Sequence, residues 1–396
     1  MERKVAVTMT AHQAFEKAWA DVQTLRPIIE AHRDEAEVIR RLPDPVARVF
    51  LERDVYRTTL PVEMGGAGLS PLQHFDLIVE VARSDASAAW LYWLAGVGLQ
   101  IPGKAPPEVV AEAFGTPDCG VAGGLAPTGR AVAVEGGYRI SGRWAWASGI
   151  QHCAHVGMSC LVYDSEALRR NPDGSPSVLM AFIPRQQVSV LDTWNTGGMR
   201  GTGSTEFEVD DHFVSAAWVL DAASKDDVRP HAIFKLPPLF LVYGIAGVAI
   251  GVAHAVIEAL MALARTKHQP PPKGLLAEQT SLQYAVAKAQ AKVEAVEASM
   301  RTILSRVWDG VSAGGSCMAE DRLYLRRAVT HAVDECTEVV SMCYREAGGS
   351  AVHRSQPFER ALRDIHAAGA HVAVQRGSLE QSGAIAMGVA NMTPMF

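Results

Sequence analysis

The pattern of apolar and polar positions divides the chain into three stretches. From Ala11 to about 118 the apolar residues recur at helical spacing. Ala11–Ile39 reads as two amphipathic segments interrupted near Pro27, and Val46–Tyr56 as a short helix after the Pro43-Asp-Pro45 turn. The glycine-rich loop Pro61–Ser70 comes next. Ser70-Pro71 then supplies a capping serine and a first-turn proline for another helix. Asp85-Ala-Ser-Ala-Ala-Trp90 opens a helix of small residues suited to tight packing.

From Cys119 the period shortens. β-like runs at 131–134, 137–147, 156–163, 178–183, 187–191, 205–210 and 212–214 are broken by Gly, Pro, Asp and Asn. That spacing predicts a small antiparallel barrel or sandwich. After Asp226 the helical period returns. Val286, Ala289, Val293, Val296, Met300, Ile303 and Val307 recur three and four apart, as do Leu325, Val329, Ala332, Cys336, Val339 and Cys343. Both cysteines are therefore core positions. A third helix is expected from about Pro357 to Met387. The fold class is mostly α with a central β domain: an N-terminal helical domain over 1–118, a β domain over 119–225 and an antiparallel helix bundle over 226–396.

Composition narrows the function classes. The 396 residues suffice for two or three cores, and 48% apolar with 20% charged content is that of a globular protein. A net charge of -6 without a basic block argues against a nucleic-acid partner. Six cysteines with no CxxC pair read as reduced thiols in a cytoplasmic protein. Met1–Val5 leads into no apolar run, so no secretory signal is expected. Leu236–Ile257 is uncharged and long enough for a bilayer. Pro237, Pro238 and His254, with small residues at 244, 246, 247, 251 and 255, fit a helix buried in a bundle better, and no membrane association is expected.

Candidate chemistry gathers at Gly136–Gly149. Strand alternation puts Trp144, Trp146 and Ser148 on one face, where two indoles and a hydroxyl could form a wall for a flat aromatic ligand. The alternative is a half-buried strand with a tryptophan pair in the core. Gly123, Gly124 and the turn Pro127-Thr128-Gly129 would let backbone amides approach such a ligand. Gly197–Gly203 is glycine-rich but lies between strands, without the strand–turn–helix context of a dinucleotide fingerprint. His152, Cys153 and His155 would point to opposite faces of a strand, so no metal site is assigned to them.

Four motifs in order resemble the acyl-CoA dehydrogenase superfamily. Pro61–Ser70 is similar to its PxxxGGxGLS loop, and Gly142-Arg-Trp-Ala-Trp-Ala-Ser148 to its flavin wall. Gly198–Ser204 precedes the acidic strand end Val209-Asp-Asp211. Glu346-Ala-Gly-Gly-Ser350 with Glu359–Asp364 resembles the C-terminal GG…RD element. Two departures point away from the dehydrogenases. No carboxylate base comes after Arg363-Asp364, where Ile365–Ala373 contains His366 and His371, although a base on an earlier bundle helix stays open. The usual acidic flavin loop is replaced by Gly124–Gly129.

Both departures resemble the reduced-flavin-dependent monooxygenase branch, the oxygenase components of two-component systems. The resemblance implies reduced FMN or FAD from a separate flavin reductase, O2 as co-substrate, and hydroxylation of a small aromatic or heteroaromatic molecule through a flavin C4a-hydroperoxide. It implies Ser148 near flavin N5 and His371, on the C-terminal helix, as base or hydrogen-bond partner of the substrate hydroxyl. Flavin contacts are implied at Trp146, Ala147, Ser148, Gly124, Pro127, Thr128, Arg265, Gly348 and Gly349, and substrate contacts at Trp93, Trp146 and His371. A second substrate histidine of this branch falls at Gly98 here, between Val97 and Leu99, implying a bulkier substrate or one held mainly by apolar contact through Trp93, Trp146 and their neighbours. The apolar seams and the 236–257 helix, with the superfamily's habit, imply a homotetramer. An acyl-CoA dehydrogenase with bound FAD, or a non-catalytic flavin-fold protein, are the alternatives.

Overall fold

The structure, a computed structural model, describes residues 10–97, 103, 105–221, 229–272 and 274–391. Its first helix, α1, runs unbroken from Ala11 to Ile39. Pro27 lies inside it rather than ending it, although an interior proline removes a hydrogen bond and costs about 3 kcal/mol. Val22, Leu25 and Ile29 bury the same face on both sides of the proline, and that packing outweighs the local cost. A capping box of Thr10 and Gln13 starts the helix.

After α2 (Asp44–Glu52), the helices α3 (Pro71–Ala82) and α4 (Ala86–Val97) pack as neighbours. Ser70 caps α3 in a reciprocal box with Gln73, with Pro71 at its first position as the sequence predicts. Asp85 accepts from the backbone N–H of Ala88 and so caps α4. A short α5 (Pro107–Phe114) leads into the sheet.

Among the described residues the sheet has eight strands: β1 (Val121–Val134), β2 (Gly137–Ala147), β3 (His155–Asp164), β4 (Ala167–Leu168), β5 (Val178–Pro184), β6 (Ser189–Val190), β7 (Thr205–Ser215) and β8 (Val219–Asp221). Their order is β6-β7-β2-β1-β3-β5-β8, with β4 on β3. The expectation of an all-antiparallel barrel or sandwich is corrected here, because β1 and β3 pair in parallel. The β1 strand also begins ten residues earlier than the apolar run suggests, since Gly123 and Gly124 pair with Gly157 and Met158 despite having no side chains to pattern.

The C-terminal bundle surrounds α6 (Tyr243–Ala264), which packs on α3, α4, α7 (Thr280–Ser312), α8 (Ala319–Ala347) and α9 (Phe358–Gly369). The stretch Phe240–Ala264 is long and apolar enough to cross a membrane, but 89% of its most apolar window is buried inside the fold. Its small residues let neighbours approach closely: a Cβ on Gly244 would lie 2.0 Å from the Trp93 ring. Both predicted seams, including Cys336 and Cys343, face the core except the half-buried Val286.

The expected helix from Pro357 to Met387 is two helices, α9 and α10 (Arg376–Ala386), separated by a 3-10 turn at Val372–Val374. His371 therefore lies in the connection and not on a helix. Its imidazole Nδ1 accepts from the Ala373 backbone N–H at 3.2 Å, and Ser378 Oγ donates to Ala373 O at 3.0 Å. These side-chain bonds offer the backbone an alternative to helix, which periodicity does not register.

Candidate active site

The alternation of β2 holds as far as Trp144 and then fails. Trp144 pairs with Phe207 and Ala147 with Thr205, so β2 carries one extra residue between them. This bulge reverses the facing of the residues beyond it. Trp144 is buried, stacks on Phe207 at 5.2 Å and donates from Nε1 to Ser159 O at 2.7 Å. Trp146 is 71% exposed. The predicted common face of Trp144, Trp146 and Ser148 is thus corrected: only Trp146 and Ser148 belong to the rim. Gly124 and Gly129 serve Trp144 as well, since a Cβ on either would fall 2.6 or 2.0 Å from its side chain.

Trp146 adopts φ 67°, a left-handed conformation that costs a residue with a Cβ about 1–3 kcal/mol. The Ser148 N–H closes onto Trp146 O at 2.9 Å, and the Gly149 N–H onto Thr202 O at 2.9 Å. The result is an exposed indole and, beyond the strand end, a half-buried hydroxyl. The Trp146 ring meets Trp194 edge-on at 5.7 Å, and Trp194 Nε1 donates to Met199 O and Arg200 O. The Ser148 hydroxyl lies 2.6 Å from that of Ser204, which lies 2.6 Å from that of Thr202, which donates to Met199 O at 2.8 Å. Indole and hydroxyl are tied through different side chains to one carbonyl.

Met199 is fixed in turn by the bundle. Its N–H donates to Asp364 Oδ1 at 2.6 Å, and Gly198 presses so closely on α9 that a Cβ there would meet Arg363 O at 2.2 Å. Asp364 is 3% exposed, and burial, with the nearby charge of Asp85, pushes its carboxyl up to about 7. The Arg-Asp pair is therefore the strut between the 197–203 loop and the bundle. Ser204, Thr202 and Trp194 have no role assigned from sequence, because hydroxyls and an indole in a loop carry no period. The Gly-Thr-Gly-Ser run is the only signal.

The Leu125–Thr128 stretch of β1, between the shifted pairs at Gly124 and Gly129, is exposed. Thr128 Oγ1 donates to Arg143 O at 2.8 Å, which pins this rim to β2. Arg265 sits exposed at the end of α6, while exposed Gly348 and Gly349 lie just past α8, and Lys267 Nζ joins the two ends through Ala347 O at 2.7 Å. Among the described residues no hydrogen bond, ion pair or ring contact joins that group to Ser148, Trp146 or His371.

His371 sits in a third cluster. Its ring meets Trp90 at 5.8 Å, and Trp90 meets Trp93 edge-on at 4.8 Å. Trp93 is buried and donates Nε1 to Leu241 O at 2.8 Å, so it supports Trp90 from behind. Trp90 is no more than a landmark in the sequence, and the structure makes it the indole beside His371. Arg326, buried on α8, donates to Ser378 Oγ at 2.7 Å and lies near enough to act on His371. Burial first, and that charge second, lower the His371 pKa below its ordinary 6.5. The ring is neutral at pH 7. Because Nδ1 accepts from Ala373, the proton sits on Nε2, which is left as a donor. Gly98, where a second histidine falls in the resembling branch, lies outside the described residues.

The rim fits a flavin on its own geometry: an exposed indole on strained backbone, a half-buried hydroxyl fixed by a hydrogen-bonded chain, and an accessible backbone edge. The rim is tied to both the sheet and the helix bundle through Met199. Residues 243–376 match the family described as acyl-CoA dehydrogenase, C-terminal domain. The chain is 28% identical over 378 residues to an indole-3-acetate monooxygenase of Pseudomonas putida, covering 94% of this chain and 95% of that one. It is 26% identical to the flavin-dependent monooxygenase oxygenase subunit HsaA of Rhodococcus jostii, covering 89% and 93%. Among solved structures, XiaF from Streptomyces sp. with FADH2 and glycerol superposes with a TM-score of 0.88 at 21% identity, over 98% of each chain. TdsC from Paenibacillus sp. A11-2 with FMN and indole gives 0.79 at 20%, over 97% and 99%. This is an acyl-CoA dehydrogenase-fold protein, and its relatives include oxygenase subunits of flavin-dependent monooxygenases.

Proposed function

We propose that the protein is the oxygenase component of a two-component flavin-dependent monooxygenase that hydroxylates a small aromatic or heteroaromatic molecule. Reduced FMN or FAD, delivered by a separate reductase, would react with O2 and supply the oxygen atom. The observation that carries this reading is the rim at Trp146 and Ser148, held on strained backbone by a network that spans sheet and bundle. Trp146, Ser148, Pro127 and Thr128 line the flavin's side of the site in this proposal, whereas Ala147 and Gly124, expected as flavin contacts, are buried and back the wall from behind. Trp90, Trp93 and His371 form the substrate's side, with His371 Nε2–H as donor to the substrate oxygen. This refines the base-or-partner role expected from sequence, because the Ala373 bond already occupies Nδ1.

The dehydrogenase alternative has less support. The group beside His371 is an arginine, and Asp364, the carboxylate of the Arg-Asp pair, is committed to the Met199 amide. A homotetramer remains part of the proposal. Val352, Val372, Met387 and Val389 expose apolar side chains at the bundle's C-terminal end, and Arg265, Gly348 and Gly349 would then meet a flavin across a subunit border. Light scattering tests the assembly, and a monodisperse active monomer at micromolar concentration would exclude it. The function is tested by supplying reduced flavin and O2 with a panel of phenols and indoles and weighing the products. Incorporation of one 18O atom from O2 is expected. Thioester desaturation without flavin supply would reverse the assignment.

A further inference from the structure

The hydroxyl chain has a direction. Thr202 Oγ1 lies 2.8 Å from a carbonyl oxygen, Met199 O, which can only accept, so the single Thr202 proton points there. Thr202 can then only accept from Ser204, and Ser204 can only accept from Ser148. The opposite order would leave two oxygens, Thr202 Oγ1 and Met199 O, facing each other at 2.8 Å in a buried place with no proton between them. That arrangement is unfavourable. With its one proton committed inward, Ser148 offers only lone pairs to whatever lies against the rim.

This has a chemical consequence for flavin. In the oxidised isoalloxazine N5 is bare and accepts hydrogen bonds; in the reduced ring N5 carries hydrogen and donates. Resting on the proposed placement of flavin against Ser148, we infer that Thr202 and Ser204 are positioning residues that make Ser148 a pure acceptor, so that the site selects reduced over oxidised flavin. The selection is built by two hydroxyls behind the wall that need not touch the flavin. Asp364 and Trp194 hold the end of the chain by fixing Met199 from its N–H and its carbonyl.

The test is binding, not turnover. Dissociation constants for FMN and FAD are measured on the full chain in oxidised form and, under anaerobic conditions, in reduced form. The wild type is expected to favour the reduced form. Ser204→Ala frees the Ser148 proton to donate to oxidised N5, so the ratio of oxidised to reduced dissociation constants should fall about three- to tenfold, the worth of one hydrogen bond. Thr202→Val should do the same, while Thr202→Ser, which keeps the hydroxyl, should retain the wild-type ratio and guards against misfolding of the valine variant. On a Ser148→Ala background, Ser204→Ala should have no further effect on the ratio, a coupling that a merely structural role would not produce. An unchanged ratio in Ser204→Ala, with flavin still bound, overturns the relay and leaves the proposed function standing. A wild-type chain that binds neither form overturns the proposed function, and the relay with it.

Discussion

The interior of β2 and its rim are two residues apart and obey different rules. Trp144 sits on regular backbone, stacked and hydrogen-bonded, with glycines clearing space around its ring. Trp146 sits on left-handed backbone, largely exposed, with one edge contact to Trp194. The interior spends its residues on packing. The rim holds a strained conformation and an exposed indole that packing alone would remove, and such departures cluster at functional sites. Interior substitutions should therefore cost stability, and rim substitutions should cost chemistry.

The largest effect is expected from Trp144→Ala. It empties a space bounded by Phe207, Gly124 and Gly129 and leaves Ser159 O without its donor. A destabilisation of about 3–5 kcal/mol is expected in urea unfolding. A loss below about 1 kcal/mol would show that the sheet interior does not depend on this indole.

That contrast also marks what was legible in the sequence. The bundle seams were readable because each helix buries one stripe, and Ala289, Val293, Val296, Met300, Ile303 and Val307 all face inward. Ser70 and Pro71 announced α3 for a local reason, the cap. The face of Trp146 was not readable, because a single extra residue in β2 flips everything after it and leaves no trace in composition. The break at His371 was hidden likewise, since a side chain bonding to Ala373 N–H interrupts a pattern that otherwise continues into α10. Ser148 stands out by strand alternation and takes its flavin role from the resemblance, which alone points to the role of His371. Their partners Ser204, Thr202 and Trp90 emerged only from the fold.

Asp364 lies where rim and interior meet, and pH should expose it. Its carboxyl is raised from 3.8 to about 7, so between those values the folded chain holds a proton that the unfolded chain has lost. The associated stability is fully present below about pH 4 and is lost as pH rises through about 7. Asp364→Asn keeps an oxygen to accept from Met199 N–H but cannot titrate. The stability of wild type minus that of the variant should decline by up to roughly 4 kcal/mol between pH 4 and 8. Parallel pH profiles for the two proteins would mean that Asp364 is ionised in the fold.

On the substrate side, His371→Ala should slow product formation by about 10²–10³-fold, the usual worth of one donor placed at developing charge. Flavin oxidation should continue, with its oxygen appearing as hydrogen peroxide. Because the folded pKa is below 6.5, the neutral form persists at pH 7; as pH falls further Nε2–H stays a donor, but Nδ1 gains a proton and can no longer accept from Ala373 N–H, so the ring loses its anchor. The wild-type coupling profile should show an acid limb below pH 6.5 that the variant lacks. Full product yield from His371→Ala would return this histidine to its role as cap of the 372–374 turn.

Ser148→Ala is expected to act more weakly, through the loss of one fixed acceptor worth roughly 1–3 kcal/mol. More peroxide per product is the readout, at unchanged melting temperature to within a few degrees. A wild-type peroxide fraction would remove Ser148 from the site while leaving its bond to Ser204 intact.

The smallest stability change should come from Trp146→Gly, and its smallness is the point. Glycine accepts φ 67° without strain, which favours the fold by about 1 kcal/mol, while its freer unfolded chain costs a similar amount. The indole removed is 71% exposed and makes one edge contact, so little burial is lost. The melting temperature should therefore stay within a few degrees of wild type, against the large fall expected for Trp144→Ala. Flavin affinity should behave the other way, weakening on loss of the exposed ring face. If Trp146→Gly unfolds the protein as readily as Trp144→Ala, the indole is a structural element of the sheet and its strained backbone needs another explanation. If it is silent in both stability and flavin binding, the rim is not where flavin sits.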